Sequence, residues 1–186
     1  MKKNEIRNKI ISTAESLFKN SDYEDISIRQ VASLSEISIG AFYRCINSKE
    51  ELFEHLYTKF RQDMHETLSE LTKDKNPLEN IQIFFDTYIN YIIKYNYKFS
   101  SFFITLALEK PNMILSSENS VILNQYIKEA FEDNIFNEKF SQEHISNSLI
   151  TLFMGSVLNW CFSMGKSNIK NDFSSAFYIL IDKFRI

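Results

Sequence analysis

Residues 10–53 read IISTAESLFKNSDYEDISIRQVASLSEISIGAFYRCINSKEELF, and the short helical patterns in this stretch decide the fold class. Ile6, Ile10, Ala14, Leu17 and Phe18 recur at helical spacing and predict a first helix over residues 3–19. A link over 20–26 follows. Ser27, with Gln30 three residues on, has the form of a capping box and opens a helix ending near residue 34. After a turn at 35–37, Ser38 caps a further short helix that reaches Cys45. Ser48 and Glu51 form a second capping-box pattern, opening a long helix to Leu71. Its expected buried stripe is Leu52, Phe53, Leu56, Phe60, Met64, Leu68 and Leu71. Two short helices joined by a tight turn behind a supporting helix are the helix-turn-helix arrangement. A plain three-helix subdomain fits the same pattern.

Outward from this stretch the chain stays helical. KDKNP at 73–77 is the clearest boundary, with Asn76 as cap and Pro77 in the first turn of the next helix. Further helices are predicted over 78–96, 98–108, 120–134, 141–166 and 172–186, with Pro111 and the polar stretch 116–120 as a break. The expectation is an all-α chain of about nine helices. It divides into a head at 1–48, a connecting helix at 49–72 and a body at 73–186. Only 3 Gly and 2 Pro in 186 residues argue against turn-rich β architectures. The 17 Phe and 9 Tyr point to a thick core or an apolar pocket.

Charge and cysteine usage exclude other classes. A net charge of −3 argues against non-specific coating of nucleic acid. Residues 1–50 nevertheless carry eight bases against seven acids, so the head is mildly positive on an acidic body. Cys45 and Cys161 make no disulfide framework and suit a reducing, cytoplasmic setting. No run of 18 apolar residues occurs, so no membrane partner is expected. His55, His65 and His144 lack neighbours at metal-ligand spacing, and no metal or cofactor is expected. No phosphate loop, G-x-S-x-G or H-E-x-x-H supplies a catalytic site.

The stretch 10–53 resembles the TetR/AcrR family of bacterial regulators. The resemblance is carried by Ala14, Leu17, Phe18, Tyr23, Val31, Ala32, Ile37, Ser38, Gly40, Tyr43, Ser48, Lys49, Glu50 and Leu52. It implies a cytoplasmic, homodimeric, ligand-responsive repressor. Such a protein would read a palindromic double-stranded DNA operator and carry a pocket for a small apolar or aromatic effector in its body. The alternative is a helical small-molecule-binding protein with a degenerate DNA head. The sequence departs from the family at Glu36 in the turn, at Ile39, and at Cys45 and Ile46. Glu36 stands where the family usually has Gly, and a left-handed conformation there would cost Glu about 1 kcal/mol.

The candidate DNA contacts are Ser27, Arg29, Ser38, Ile39, Gly40, Ala41, Tyr43, Arg44 and Lys49. Gly40, without a Cβ, admits close approach by DNA or by the preceding helix. Tyr43 suits a phosphate oxygen, and Lys49 joins the positive end of the long helix as a phosphate site. Ser27 offers an anchor or simply a cap. Ile39 and Ala41 are apolar and suit thymine methyls, which predicts an A·T-rich half-site. In the body, Phe85, Tyr88, Ile92, Phe103, Tyr126, Phe153 and Trp160 are the candidate effector contacts. The last two helices carry broad apolar stripes, Leu149, Leu152, Phe153, Ser156 and Trp160, then Phe173, Phe177, Leu180 and Phe184. These are expected to form a four-helix dimer interface.

Overall fold

Serine and asparagine caps cut the chain into eight helices among the described residues, which are 3–21, 23–109 and 118–186 of a computed structural model. In order they are α1 (Lys3–Asn20), α2 (Ile28–Leu34), α3 (Ile39–Tyr43), α4 (Lys49–Leu71), α5 (Pro77–Glu109), α6 (Glu118–Glu132), α7 (Gln142–Phe162) and α8 (Ile169–Phe184). The chain is all-α, as expected; one isolated bridge, Phe136 to Arg185, ties the C-terminal end to the α6–α7 link. Ser27, Ser38, Ser48 and Ser141 each accept a backbone N–H three residues on, at 3.1 Å. Glu51 closes its box on the backbone N–H of Asn47, at 2.8 Å, one residue before the cap. The last helix starts at Ile169 rather than 172, because Asn168 caps it. The break expected at Pro111 and 116–117 lies outside the described residues.

The two helices expected at 78–96 and 98–108 are the two halves of α5, which meet at Asn96 as expected. There φ is 66° and ψ is 165°, outside the helical region, and the chain bends. Beyond the bend Tyr97 lies over Gly165, whose φ of 75° and 3.1 Å clearance to that ring leave no room for a Cβ.

Two cores share α4. Leu52, Phe53 and Leu56 join Ile10, Phe18, Val31 and Phe42 in the head. Met64 and Leu68 join Phe85, Leu149, Trp160 and Phe173 in the body. Leu71 leaves the expected stripe and is exposed in the last turn. The head core also takes Phe99, Phe102 and Phe103 from beyond the α5 bend.

The predicted dimer stripes need correction. Leu149, Phe173, Phe177 and Phe184 are at most 2% exposed, and Trp160 is nearly so, all inside one protomer. A stripe records that a face is buried, and here α7 and α8 bury those faces against each other and against α5. The outer faces carry different side chains, among them Phe162 at 80% exposed and Ile179 at 74%. For the same reason α7 is apolar on most of its circumference. By length and mean hydropathy, 1.3, it is long and apolar enough to cross a membrane, but Ile145, Leu149, Val157 and Trp160 are spent on the body's core.

At the head–body junction, Glu15 of α1 is buried. Its carboxylate takes Lys19 at 2.7 Å, Lys59 of α4, and the Tyr95 hydroxyl of α5 at 3.0 Å. Burial alone would raise this carboxyl, but those hydrogen bonds outweigh it and hold the pKa at about 2, below the ordinary 4.5. A carboxyl depressed on folding contributes stability above its unfolded pKa and loses it as pH falls through the folded value. Stability should therefore decline from about pH 5 to about pH 2, and Glu15→Gln should flatten that decline in urea titrations at stepped pH. Parallel curves for the two proteins would remove Glu15 from the acid response. For the core, Phe177→Ala should cost about 3–5 kcal/mol in urea unfolding. A loss typical of an exposed site would return Phe177 to an outer face.

Candidate nucleic-acid interface and body cavity

The turn between α2 and α3 is built by two backbone contacts. The N–H of Glu36 reaches the Ser33 carbonyl at 2.9 Å, and the N–H of Ile37 reaches that of Ala32 at 3.0 Å. This is the helix-ending pattern that places one residue in the left-handed region. That residue is Glu36, with φ 53°. Lys9 of α1 pairs with its carboxylate at 2.5 Å, which holds that carboxyl below its ordinary range. Arg7 of α1 donates to the Cys45 carbonyl at 3.2 Å and fixes the far end of α3.

So held, α3 turns Ser38, Ile39, Gly40, Tyr43 and Arg44 outward and Ala41 and Phe42 inward. Ile39 is 43% exposed, while Ala41 is packed against the head. Ala41 is therefore withdrawn from the expected base contacts, and an apolar reading rests on Ile39 alone. Ser27 and Arg29 are exposed on α2 beside this face. At Gly40 an added Cβ would meet nothing within 4 Å, so the glycine serves no close approach to the preceding helix.

Lys49 also needs correction. Its Nζ lies 3.9 Å from the Tyr23 ring centre and donates to the Tyr23 carbonyl. Burial lowers its pKa, against the opposing pull of Glu24, Glu50 and Asp25. Burial, with Glu50 and Glu24 beside it, pushes the Tyr23 phenol up to about 12. The ammonium thus braces the α1–α2 link instead of projecting toward a phosphate. Glu50 and Glu51 fill the first turn of α4, so that helix terminus meets its own carboxylates.

In the body, α4, α5, α6 and α7 enclose a cavity of about 220 Å³. Among the described residues, no acidic or basic side chain lines it. Phe85, Tyr88, Ile92, Phe103 and Phe153 are in its wall, as predicted. Tyr126 is not; it bonds Thr72 Oγ1 at 3.2 Å, toward the end of α4. Trp160 is not either, being packed in the core. Tyr57, Phe60, Tyr91, Tyr95 and Phe99 complete the wall and were missed. The signal was present: the α4 stripe and the start of the second half of α5 are both aromatic. Burial pushes the Tyr57, Tyr88 and Tyr95 phenols up, so the wall is uncharged at neutral pH.

Residues 10–56 match the model of the family described as bacterial regulatory proteins, tetR family. The head is similar to that family over these residues. No curated protein matches the chain by sequence. The whole chain shares its fold with solved regulators. One is a TetR transcription regulator from Haloarcula marismortui, 13% identical, covering 98% of this chain and 100% of that one, TM-score 0.83. Another is the TetR-family transcriptional repressor FadR of Thermus thermophilus, in complex with lauroyl-CoA. It is 17% identical and covers 97% and 95%, TM-score 0.71. A regulatory protein TetR from Rhodobacter sphaeroides is 11% identical and covers 95% and 97%, TM-score 0.71. The tetR-family head is thus a helix-turn-helix on a body of the TetR-regulator fold.

Two substitutions in the tetR-family head separate packing from contact. Gly40→Ala should fold with unchanged or higher Tm, since alanine is the better helix residue by about 0.5–1 kcal/mol, yet lose DNA affinity. Affinity kept at full strength would leave the open space at Gly40 without a use. Lys49→Ala should lower Tm and leave the salt slope of DNA binding unchanged, where a phosphate contact would reduce it by about one unit.

Proposed function

We propose that this chain is a ligand-responsive transcriptional repressor that grips a palindromic operator as a homodimer and releases it when a small apolar or aromatic effector fills the body. The observation that carries the reading is one helix, α4, shared by an outward-facing helix-turn-helix and an uncharged aromatic cavity. In this reading residues 1–48 are the DNA-binding head, 49–72 the connection and 73–186 the sensing and dimerising body. Ser38, Ile39, Gly40, Tyr43 and Arg44 meet the duplex, with Ser27 and Arg29 on its flank. The protein works in the cytoplasm and catalyses nothing.

The cavity selects the effector class. It is roomier than the ~150 Å³ of an apolar cavity that stays dry and takes benzene. Its lining offers rings, aliphatic carbons and a few hydroxyls. A charged guest would lose its hydration without a partner, which costs several kcal/mol. The complex of the Thermus repressor with lauroyl-CoA fits an apolar group in a body of this fold. The effector shifts DNA affinity only by its preference for one spacing of the two heads over another.

The dimer uses the outer faces of α7 and α8. Leu152, Gly155, Leu158 and Phe162 follow one another at helical spacing on α7, and Tyr178 and Ile179 stand exposed on α8. An isologous interface needs such a self-complementary patch. Phe162→Glu with Ile179→Glu should keep the helical circular dichroism, sediment as a monomer and lose specific DNA affinity. A folded double variant that still sediments as a dimer would put the interface elsewhere.

A second reading, a small-molecule-binding protein with a degenerate head, is favoured by exposed Glu24, Asp25 and Glu50 around the withdrawn Lys49. A gel shift on DNA flanking the protein's own gene separates the two. The repressor should retard a palindromic fragment with half-sites about one helical turn apart, or a multiple of it, and release it on effector binding. No retardation at low salt would leave the second reading standing.

A further inference from the structure

Tyr95 and Asn96 stand where the cavity wall meets the head. The Tyr95 ring lines the cavity and stacks on Phe99 at 4.9 Å, while its hydroxyl donates to Glu15 of α1 at 3.0 Å. The same carboxylate holds Lys59 of α4, so one buried group joins α1, α4 and the cavity wall. The next residue, Asn96, has φ 66° and ψ 165°, a region that residues with a side chain rarely occupy. Its amide holds it there. Oδ1 accepts the N–H of Lys98 at 2.9 Å and of Phe99 at 3.1 Å, capping the second half of α5. Nδ2 donates to the carbonyls of Phe18 at 3.3 Å and Lys19 at 3.4 Å, capping the last turn of α1. Past this residue, Phe102 stacks on Tyr23 at 3.5 Å, and Tyr23 carries Lys49 on its ring.

We propose that Tyr95 and Asn96 form a latch through which the head senses whether the cavity is filled. An apolar guest that displaces the Tyr95 ring breaks the Glu15 bond. The strained Asn96 backbone then relaxes, and its amide lets go of the α1 carbonyls. The last turn of α1 and the Tyr23 link loosen together, because both are fastened from α5. The guest favours this state by binding it better than the latched one. The latch rests on the cavity reading above and adds the route by which occupancy reaches the head. Tyr95 and Asn96 are positioning residues here; neither contacts DNA.

The test uses the full chain and N-phenyl-1-naphthylamine, a neutral aryl amine that fluoresces in apolar surroundings. Fluorescence gives its affinity, and amide hydrogen exchange reads residues 16–19 with and without it. In the unaltered protein the probe should speed exchange at 16–19 about tenfold. In Tyr95→Phe, which keeps the ring, exchange without probe should already be fast. The probe should then add less than about threefold, and its affinity should rise by up to about tenfold, because opening the latch no longer costs anything. Asn96→Gly, which accepts the same backbone without the amide, should also lose the response. If the bond only stabilises α1, both variants exchange faster and the probe still adds its tenfold; that result overturns the latch. Failure of the unaltered protein to take up the probe overturns the latch and the cavity reading together. A probe response in a protein that retards no DNA sinks the repressor reading and leaves the latch intact.

Discussion

A single asparagine amide sets the geometry on which the rest of the protein depends. Asn96 caps the end of α1 and the restart of α5 at once. Sharp bends in long helices usually trace to proline, to glycine or to an inserted residue. None is needed here, because four hydrogen bonds to one side chain fix the bend. Its consequence is aromatic. Phe99, Phe102 and Phe103 leave the body and close on Phe53 of α4, at ring distances of 5.1, 4.9 and 6.2 Å. Pairs of this kind contribute about 0.5–1.5 kcal/mol each beyond area burial. Head and body are therefore packed across a shared aromatic seam.

That seam gives α4 its place in the proposed function. Leu52 and Phe53 belong to the head core, Tyr57 and Phe60 to the cavity wall, and Met64 and Leu68 to the body core. A helix rises ~1.5 Å per residue, so these three layers sit within about 25 Å along one rigid rod. Packed interiors do not deform continuously. A guest that needs more room at Tyr57 and Phe60 must move the rod or the helix opposite, and α3 is carried on the rod's head end.

The head was legible in the sequence because its information is local. Serine caps, an apolar period and a left-handed turn residue each act within a few positions, and Ser27, Ser38 and Ser48 all do what their spacing predicts. The body was legible as helices but not as an arrangement. Phe173, Phe177 and Phe184 announce a buried face, yet nothing in their spacing says that α7 of the same protomer covers it. Lys49 reads as a free cation at a helix start until the Tyr23 ring, 26 positions earlier, is placed behind it. The break at Asn96 was legible, since one expected helix ends there and the next begins at 98, but the four hydrogen bonds by which its amide ties α1 to α5 were not. Tyr126 and Trp160 show the same limit. Both are aromatic and inward, and only packing separates a cavity wall from a core.

Electrostatics then shapes how a head of this kind would hold DNA. Phosphate contacts give binding its salt dependence, with a slope near −0.9 per neutralised phosphate. Lys9 is paired with Glu36 and Lys49 is folded onto Tyr23. Arg29 and Arg44 are then the basic side chains exposed beside the recognition face among the described residues. In the proposed function, a protomer with so few cations would bind non-specific DNA weakly, and discrimination would fall to groove contacts such as that of Ile39. Such contacts are short-ranged and need register, which two heads at a fixed spacing supply and one head does not. In the proposed repressor, the few free cations of the head and the exposed apolar side chains of α7 and α8 would answer the same constraint: a dimer that gripped phosphates lightly would have to hold two recognition helices in step.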